Sequence, residues 1–142
     1  MIYLDACYIA KLYLPEPDSP AVRAAVEADG LVVCGVHGQV EVLSVLLRKR
    51  REKSITAEEY DDLCAQFEVE AASSKYLWLP LGPAVLAQSF AVAKRLPESV
   101  FLRAGDALHL SAASEKGFTT IHSSDKHLLA AAPHFGLAGI TL

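Results

Sequence analysis

At 142 residues, 52% hydrophobic and 21% charged, the chain suits one domain, residues 1–142, with a single sizeable core, and it is too apolar to be disordered. Its formal net charge of −4 gives no basic footprint for nucleic acid, although acids clustered in a metal site would carry much of that deficit. No run is apolar enough to span a bilayer and no signal-like segment opens the chain, so the expected location is the cytoplasm, without membrane contact.

Ile2-Tyr3-Leu4 reads as a short buried strand ending on Asp5. A helix over Cys7–Leu14 is stopped by Pro15 and Pro17. Asp18-Ser19-Pro20 opens a second helix, which Gly30 closes in the usual position after the last turn. Leu31–Cys34 is an unbroken apolar run, as in a strand buried on both faces. The helix expected over Val36–Arg51 has Val36, Val40, Leu43 and Leu47 as its apolar stripe, with Glu41 one position off it.

Thr56-Ala57-Glu58-Glu59 is a capping box, opening a helix whose inner side is Tyr60, Leu63, Cys64, Phe67 and Ala71. Tyr76–Leu79 is a brief strand, and Pro83 starts a helix to about Arg95. A helix carrying Asp106 ends at Gly117, before a strand over Phe118–Ile121. Lys126–Ala131 is a short helix, and Ile140 begins a terminal strand. Strands alternating with helices imply parallel crossover units in a three-layer α/β/α sandwich with a mainly parallel central sheet. The three cysteines, Cys7, Cys34 and Cys64, are scattered and form no C-x-x-C pair, which fits a reducing compartment and argues against a disulfide framework or a structural zinc site.

Two acids, Asp5 and Asp125, fall just past strand ends, where open α/β sheets bind ligands. Glu41 and Asp106 fall near the starts of helices on the same edge. Each alone suits a helix N-terminus, where acids favour the dipole. Together they repel: at ~4 Å and an effective dielectric of ~20, each like-charged pair costs roughly 4 kcal/mol. Protonation or a divalent cation must relieve that repulsion. All-oxygen ligation favours Mg²⁺ or Mn²⁺, which suits hydrolysis of a phosphodiester by a water that the metal activates.

The opening Met1–Tyr13, the isolated Glu41, the run Arg103-Ala104-Gly105-Asp106-Ala107-Leu108-His109-Leu110-Ser111-Ala112 and Ser123-Ser124-Asp125 resemble the PIN-domain family, and within it the VapC-type toxins of toxin–antitoxin pairs. The resemblance extends over essentially the whole chain. It implies a metal-dependent endoribonuclease in which Asp5, Glu41 and Asp106, with Asp125 as a fourth acid, hold Mg²⁺ or Mn²⁺. It also implies Ser123 as a polar support, a homodimer, an RNA substrate and a small antitoxin in the RNA groove. One position departs: two residues after the first Asp the family usually has Ser, Thr or Asn, and here Cys7 stands. A thiol is a weak hydrogen-bond partner, and no base is placed beside it to make it a nucleophile.

Five histidines raise a rival zinc or general-base reading. His37 and Glu41 are four residues apart and Asp106 and His109 three apart, so each pair shares a helix face, but no H-E-x-x-H motif is present. His109, between Leu108 and Leu110, is read as a packed or hydrogen-bonded core residue; His122, His127 and His134 are expected in or near exposed loops. The basic run Arg48–Lys53 is read as a solvated helix end ~22 Å from the acidic edge, at ~1.5 Å per residue. Arg103 is the better partner for a nearby acid or phosphate. Tyr8, Ile9, Leu12, Tyr13 and Leu14 exceed one core-facing stripe, which points either to a protein interface or to a fully buried helix. Two other functions fit parts of the pattern. One is a phospho-aspartate phosphatase or receiver centred on Asp5, for which the second acid of the pair is missing at Cys7. The other is a binding module with a weakened site, acting through an antitoxin complex.

Overall fold

Five short strands, β1 (Ile2–Tyr3), β2 (Val32–Gly35), β3 (Tyr76–Leu79), β4 (Thr120–His122) and β5 (Ala138–Ile140), run parallel through the centre of a computed structural model that describes all 142 residues. β2 lies between β1 and β3, with Ile2 opposite Val32 and Cys34 opposite Trp78. β4 pairs with β5, Ile121 opposite Gly139. The two groups meet where Leu4 bridges His122 and the Asp5 amide donates to the His122 carbonyl at 3.1 Å. The resulting order is 3-2-1-4-5. The chain winds outward through β2 and β3, then returns to the other side of β1, so the order reverses between β1 and β4.

Alternation along the strands divides the expected single core into two. Ile2, Leu4, Val32 and Cys34 face one side of the sheet; Tyr3 and Val33 face the other. The first side is covered by α1 (Ala6–Lys11), α2 (Ser19–Asp29), α3 (Gly38–Arg51) and α4 (Ala57–Ala71), through Tyr8, Val22, Val42, Leu46 and Phe67. The second is covered by α5 (Pro83–Ala93), α6 (Ala104–Glu115) and α7 (Lys126–Ala131), through Val85, Leu110 and Leu128. A 3₁₀ turn over Ala132–Phe135 then leads to β5. The sandwich is therefore α/β/α, as the sequence predicts. No helix is long and apolar enough to cross a membrane.

The local signals set most boundaries. Thr56 and Glu59 exchange the two hydrogen bonds of the capping box at α4, and Gly30 ends α2 with φ near 75°. Four expectations are corrected. The first helix ends at Lys11, not Leu14, and Tyr8, Ile9 and Leu14 are buried in the chain's own core, so its apolar surplus is packing and not a free interface. The inner residues of α3 are Val42 and Leu46, whereas Val36, Val40 and Leu47 are exposed. This helix begins at Gly38 and turns Glu41, Ser44, Val45 and Arg48 toward a cleft, which rotates the predicted stripe outward. The fourth strand covers Thr120–His122 instead of Phe118–Ile121, and Ile140 ends the last strand instead of beginning it.

Leu4 is fully buried and forms the one bridge that links the two groups of strands. Leu4→Ala is expected to destabilise the fold by ~2–5 kcal/mol in urea denaturation, the range for a large-to-small change in a close-packed core.

Candidate functional site

The cleft outside the β1/β4 reversal is lined by Asp5, Glu41, Asp106 and Asp125, together with Cys7, Arg48, Arg103 and His109, and encloses about 190 Å³. All four acids singled out in the sequence thus reach one cavity, on four different elements. A larger groove of about 380 Å³, between Tyr13 and Leu63, contains none of them.

Asp5 leaves β1 and caps α1, its Oδ1 accepting from the Tyr8 amide at 2.9 Å. Its other oxygen accepts from the Ser123 hydroxyl, which itself accepts from the Asp125 amide at 2.8 Å. Ser123 is fully buried and so links the ends of β1 and β4 through one oxygen. Burial pushes the Asp5 carboxyl up, Ser123 and Tyr8 oppose this, and the Asp125 charge adds to the rise. Asp125 caps α7, accepting from the His127 amide at 2.8 Å. The capping and clustering readings of these acids are compatible, since a capping carboxylate retains lone pairs that face the cleft.

Asp106 lies in the first turn of α6 and accepts from the Arg103 amide at 3.3 Å. Burial raises its pKa, and the Arg103 guanidinium, 3.4 Å away, only partly offsets this. The same guanidinium pairs with Asp125, so Arg103 is the acid partner that the sequence suggests.

Glu41 accepts at 2.6 Å from His109 Nε2, a contact that the sequence analysis did not foresee. His109 is buried as expected, with Nδ1 3.1 Å from the Tyr3 hydroxyl and 3.8 Å from Cys34 Sγ. Burial opposes the imidazolium, but Cys34 and Glu41 hold its pKa up. Burial itself keeps the Cys34 thiol neutral, which leaves the Glu41 carboxylate as the charge beside the ring. In return, the His109 hydrogen bond and charge outweigh the burial of Glu41 and lower its pKa. His37 packs against His109 with the rings tilted by 40° and their centres 4.1 Å apart, and burial together with the neighbouring imidazolium brings its pKa down to about 4. The spacings His37-x-x-x-Glu41 and Asp106-x-x-His109 carried this signal, but α3 and α6 approach each other only through the tertiary fold.

Gly105 leaves room for the Glu41 carboxylate: a Cβ there would meet Oε1 at 2.5 Å and push the carboxylate aside. Burial pushes the Cys7 thiol up to about 12, so it is neutral and no nucleophile. The basic run needs correction at one end. Arg48 lies seven residues after Glu41 on the same face, ~10 Å along the axis, and lines the cleft instead of lying ~22 Å away.

The model of the PIN domain family matches residues 2–133, and the chain belongs to that family. No curated protein matches it in sequence. Among solved structures, it is similar to FitAcB from Neisseria gonorrhoeae (TM-score 0.70, 16% identity, 99% of this chain and 96% of that one). It is also similar to VapBC2 from Rickettsia felis bound to a promoter DNA fragment (TM-score 0.69, 15% identity, 100% and 99%). A third is VapC20 from Mycobacterium tuberculosis, described as a toxin that cleaves the sarcin–ricin loop (TM-score 0.67, 16% identity, 92% and 95%). At these identities the likeness is one of fold.

The raised pKa of Asp106 has a stability consequence. Below the unfolded value of 3.8 the residue is protonated in both states; as pH rises through the higher folded value, the native state is penalised for ionising it. In EDTA, Asp106→Asn is therefore expected to melt above wild type at pH 7, with the difference closing as pH falls toward 3.8.

Proposed function

We propose that the chain is a metal-dependent endoribonuclease of the VapC toxin type, with Asp5, Glu41, Asp106 and Asp125 holding Mg²⁺ or Mn²⁺. The observation that carries this reading is the convergence of four carboxylates on one cleft where the strand order reverses. The donor set fits a hard divalent cation: it is all oxygen, and burial raises the pKa of two of its members, so a cation would stabilise charges that the protein alone penalises. Bound there, such a cation supplies a lowered water pKa and positive charge for the phosphate in the transition state.

The chain's own groups would then divide the remaining work. Ser123 and the Tyr8 amide fix the orientation of Asp5, and His109 fixes that of Glu41. Arg103 and Arg48 would meet the substrate phosphates, Arg103 by exchanging its carboxylate partners for phosphate oxygens. Exposed Val36 just before α3, Val40 and Leu47 on it, and Leu86 and Phe90 on α5 would offer apolar surface for a small antitoxin and for a second copy of the chain.

Purified protein is expected to cut a mixed RNA pool with Mn²⁺ or Mg²⁺ and not with EDTA. Asp5→Asn and Asp106→Asn should each reduce the rate at least ~100-fold, since even partners outside the ligand set typically matter by 10–100-fold. Equal cutting by wild type and variants would overturn the assignment. No cutting by any of them would favour a binding module that acts through its antitoxin. Gly105→Ala separates geometry from stability. Replacing glycine in a helix raises stability by up to ~1 kcal/mol, while displacement of Glu41 lowers the cleavage rate. Denaturant melts and rates on the same preparation check both.

A further inference from the structure

We propose that His37, Glu41 and His109 form a second cation site, for a first-row transition metal of the zinc class, which shares Glu41 with the carboxylate cleft. One ligand atom from each of the three residues lies within 4.8 Å of the other two. His37 and Glu41 are one turn apart at the start of α3, and His109 enters from the second turn of α6. The donor set differs in kind from that of the neighbouring acids. Two imidazoles and one carboxylate match zinc and its close relatives, whereas an all-oxygen cluster matches Mg²⁺ or Mn²⁺.

The surroundings are built for ligation. His109 turns Nε2 to Glu41 because Nδ1 is engaged by the Tyr3 hydroxyl at 3.1 Å, and that hydroxyl accepts the Gly35 amide at 3.0 Å. A partner on the far nitrogen is how ligating imidazoles are oriented. His37 is held differently. Its Nδ1 is buried with no hydrogen-bond partner, and its Nε2 makes only a long 3.4 Å contact to the Gly105 carbonyl. Packing against Gly35 and the His109 ring positions it, so few bonds would be lost if it became a ligand. A bound ion would replace the proton that His109 Nε2 donates to Glu41, releasing it to solvent, and the 2.6 Å contact would open to ~3.3 Å around a tetrahedral ion with ligand distances of ~2.0 Å. The Glu41 side chain is 38% exposed, which leaves a solvent-facing side for a fourth ligand.

One ion therefore competes with the other for Glu41. The consequence for activity, inhibition of RNA cleavage by zinc-class ions in the presence of Mn²⁺, rests on the nuclease reading; the binding itself does not. The test uses Zn²⁺ and Co²⁺ with the full chain and no RNA. In histidine-¹⁵N-labelled protein, Zn²⁺ should shift the imidazole signals of His37 and His109 and leave those of His122, His127 and His134 in place. Co²⁺ should give the visible absorption of a nitrogen-ligated site. His37→Ala and His37→Gln should each weaken binding at least ~10-fold, while Asp106→Asn should retain the cobalt spectrum and the His37 and His109 shifts. Shifts confined to the other three histidines, His37 variants that bind like wild type, or loss of the cobalt spectrum in Asp106→Asn would each overturn the proposal. Failure of RNA cleavage would leave all of these readouts intact.

Discussion

The hydrogen bond from the Asp5 amide to the His122 carbonyl, beside the Leu4–His122 bridge, joins the two halves of the sheet, and the cleft depends on it. Both strands stop at this junction. One residue past it, Asp5 and Ser123 meet side chain to side chain, and Ser123 in turn holds the Asp125 amide. A parallel sheet whose order reverses leaves a gap between the helices of its two faces at that place. Asp5 and Asp125 enter the gap from below, and α3 and α6 bring Glu41 and Asp106 from its sides.

The electrostatics of the gap explain its basic neighbours. A carboxylate among carboxylates needs a counter-charge, and each acid here has a compensating contact: His109 for Glu41, Arg103 for Asp106 and Asp125, and the Ser123 hydroxyl with the Tyr8 amide for Asp5. Burial still raises the pKa of Asp5 and Asp106. Protein groups alone thus leave part of the cost of burying these charges uncompensated. A divalent cation held there would offset that penalty and free Arg103 to meet a phosphate.

Much of this was legible in the sequence because it is local. Strand ends followed by an acid, the Asp106 helix start and the capping box need only neighbours along the chain to be read, and they placed Asp5, Asp125 and Asp106 at one edge. The α3 stripe failed for the opposite reason. Val36, Val40, Leu43 and Leu47 repeat as a core face should, but Val42 and Leu46 pack inward, because the helix must also direct Glu41 and Arg48 at the cleft. His109 was legible as a core residue and illegible as the partner of Glu41, since 68 residues separate them. The later start and end of β4, by two residues and one, have a similar origin: its ends are set by pairing with Leu4 and β5, not by its own composition. Arg48 stands apart from the rest of the basic run because it lies on the Glu41 face of α3, a placement that the run's composition does not reveal.

The central claim is that these four acids form a divalent-cation site, and Mn²⁺ binding followed by electron paramagnetic resonance tests it without reference to any substrate. Wild-type protein should remove Mn²⁺ from the free-ion signal saturably, with Mg²⁺ competing, and Asp5→Asn should lose most of that binding while remaining folded. Undiminished Mn²⁺ binding by folded Asp5→Asn, or no binding by wild type at millimolar metal, would contradict the assignment.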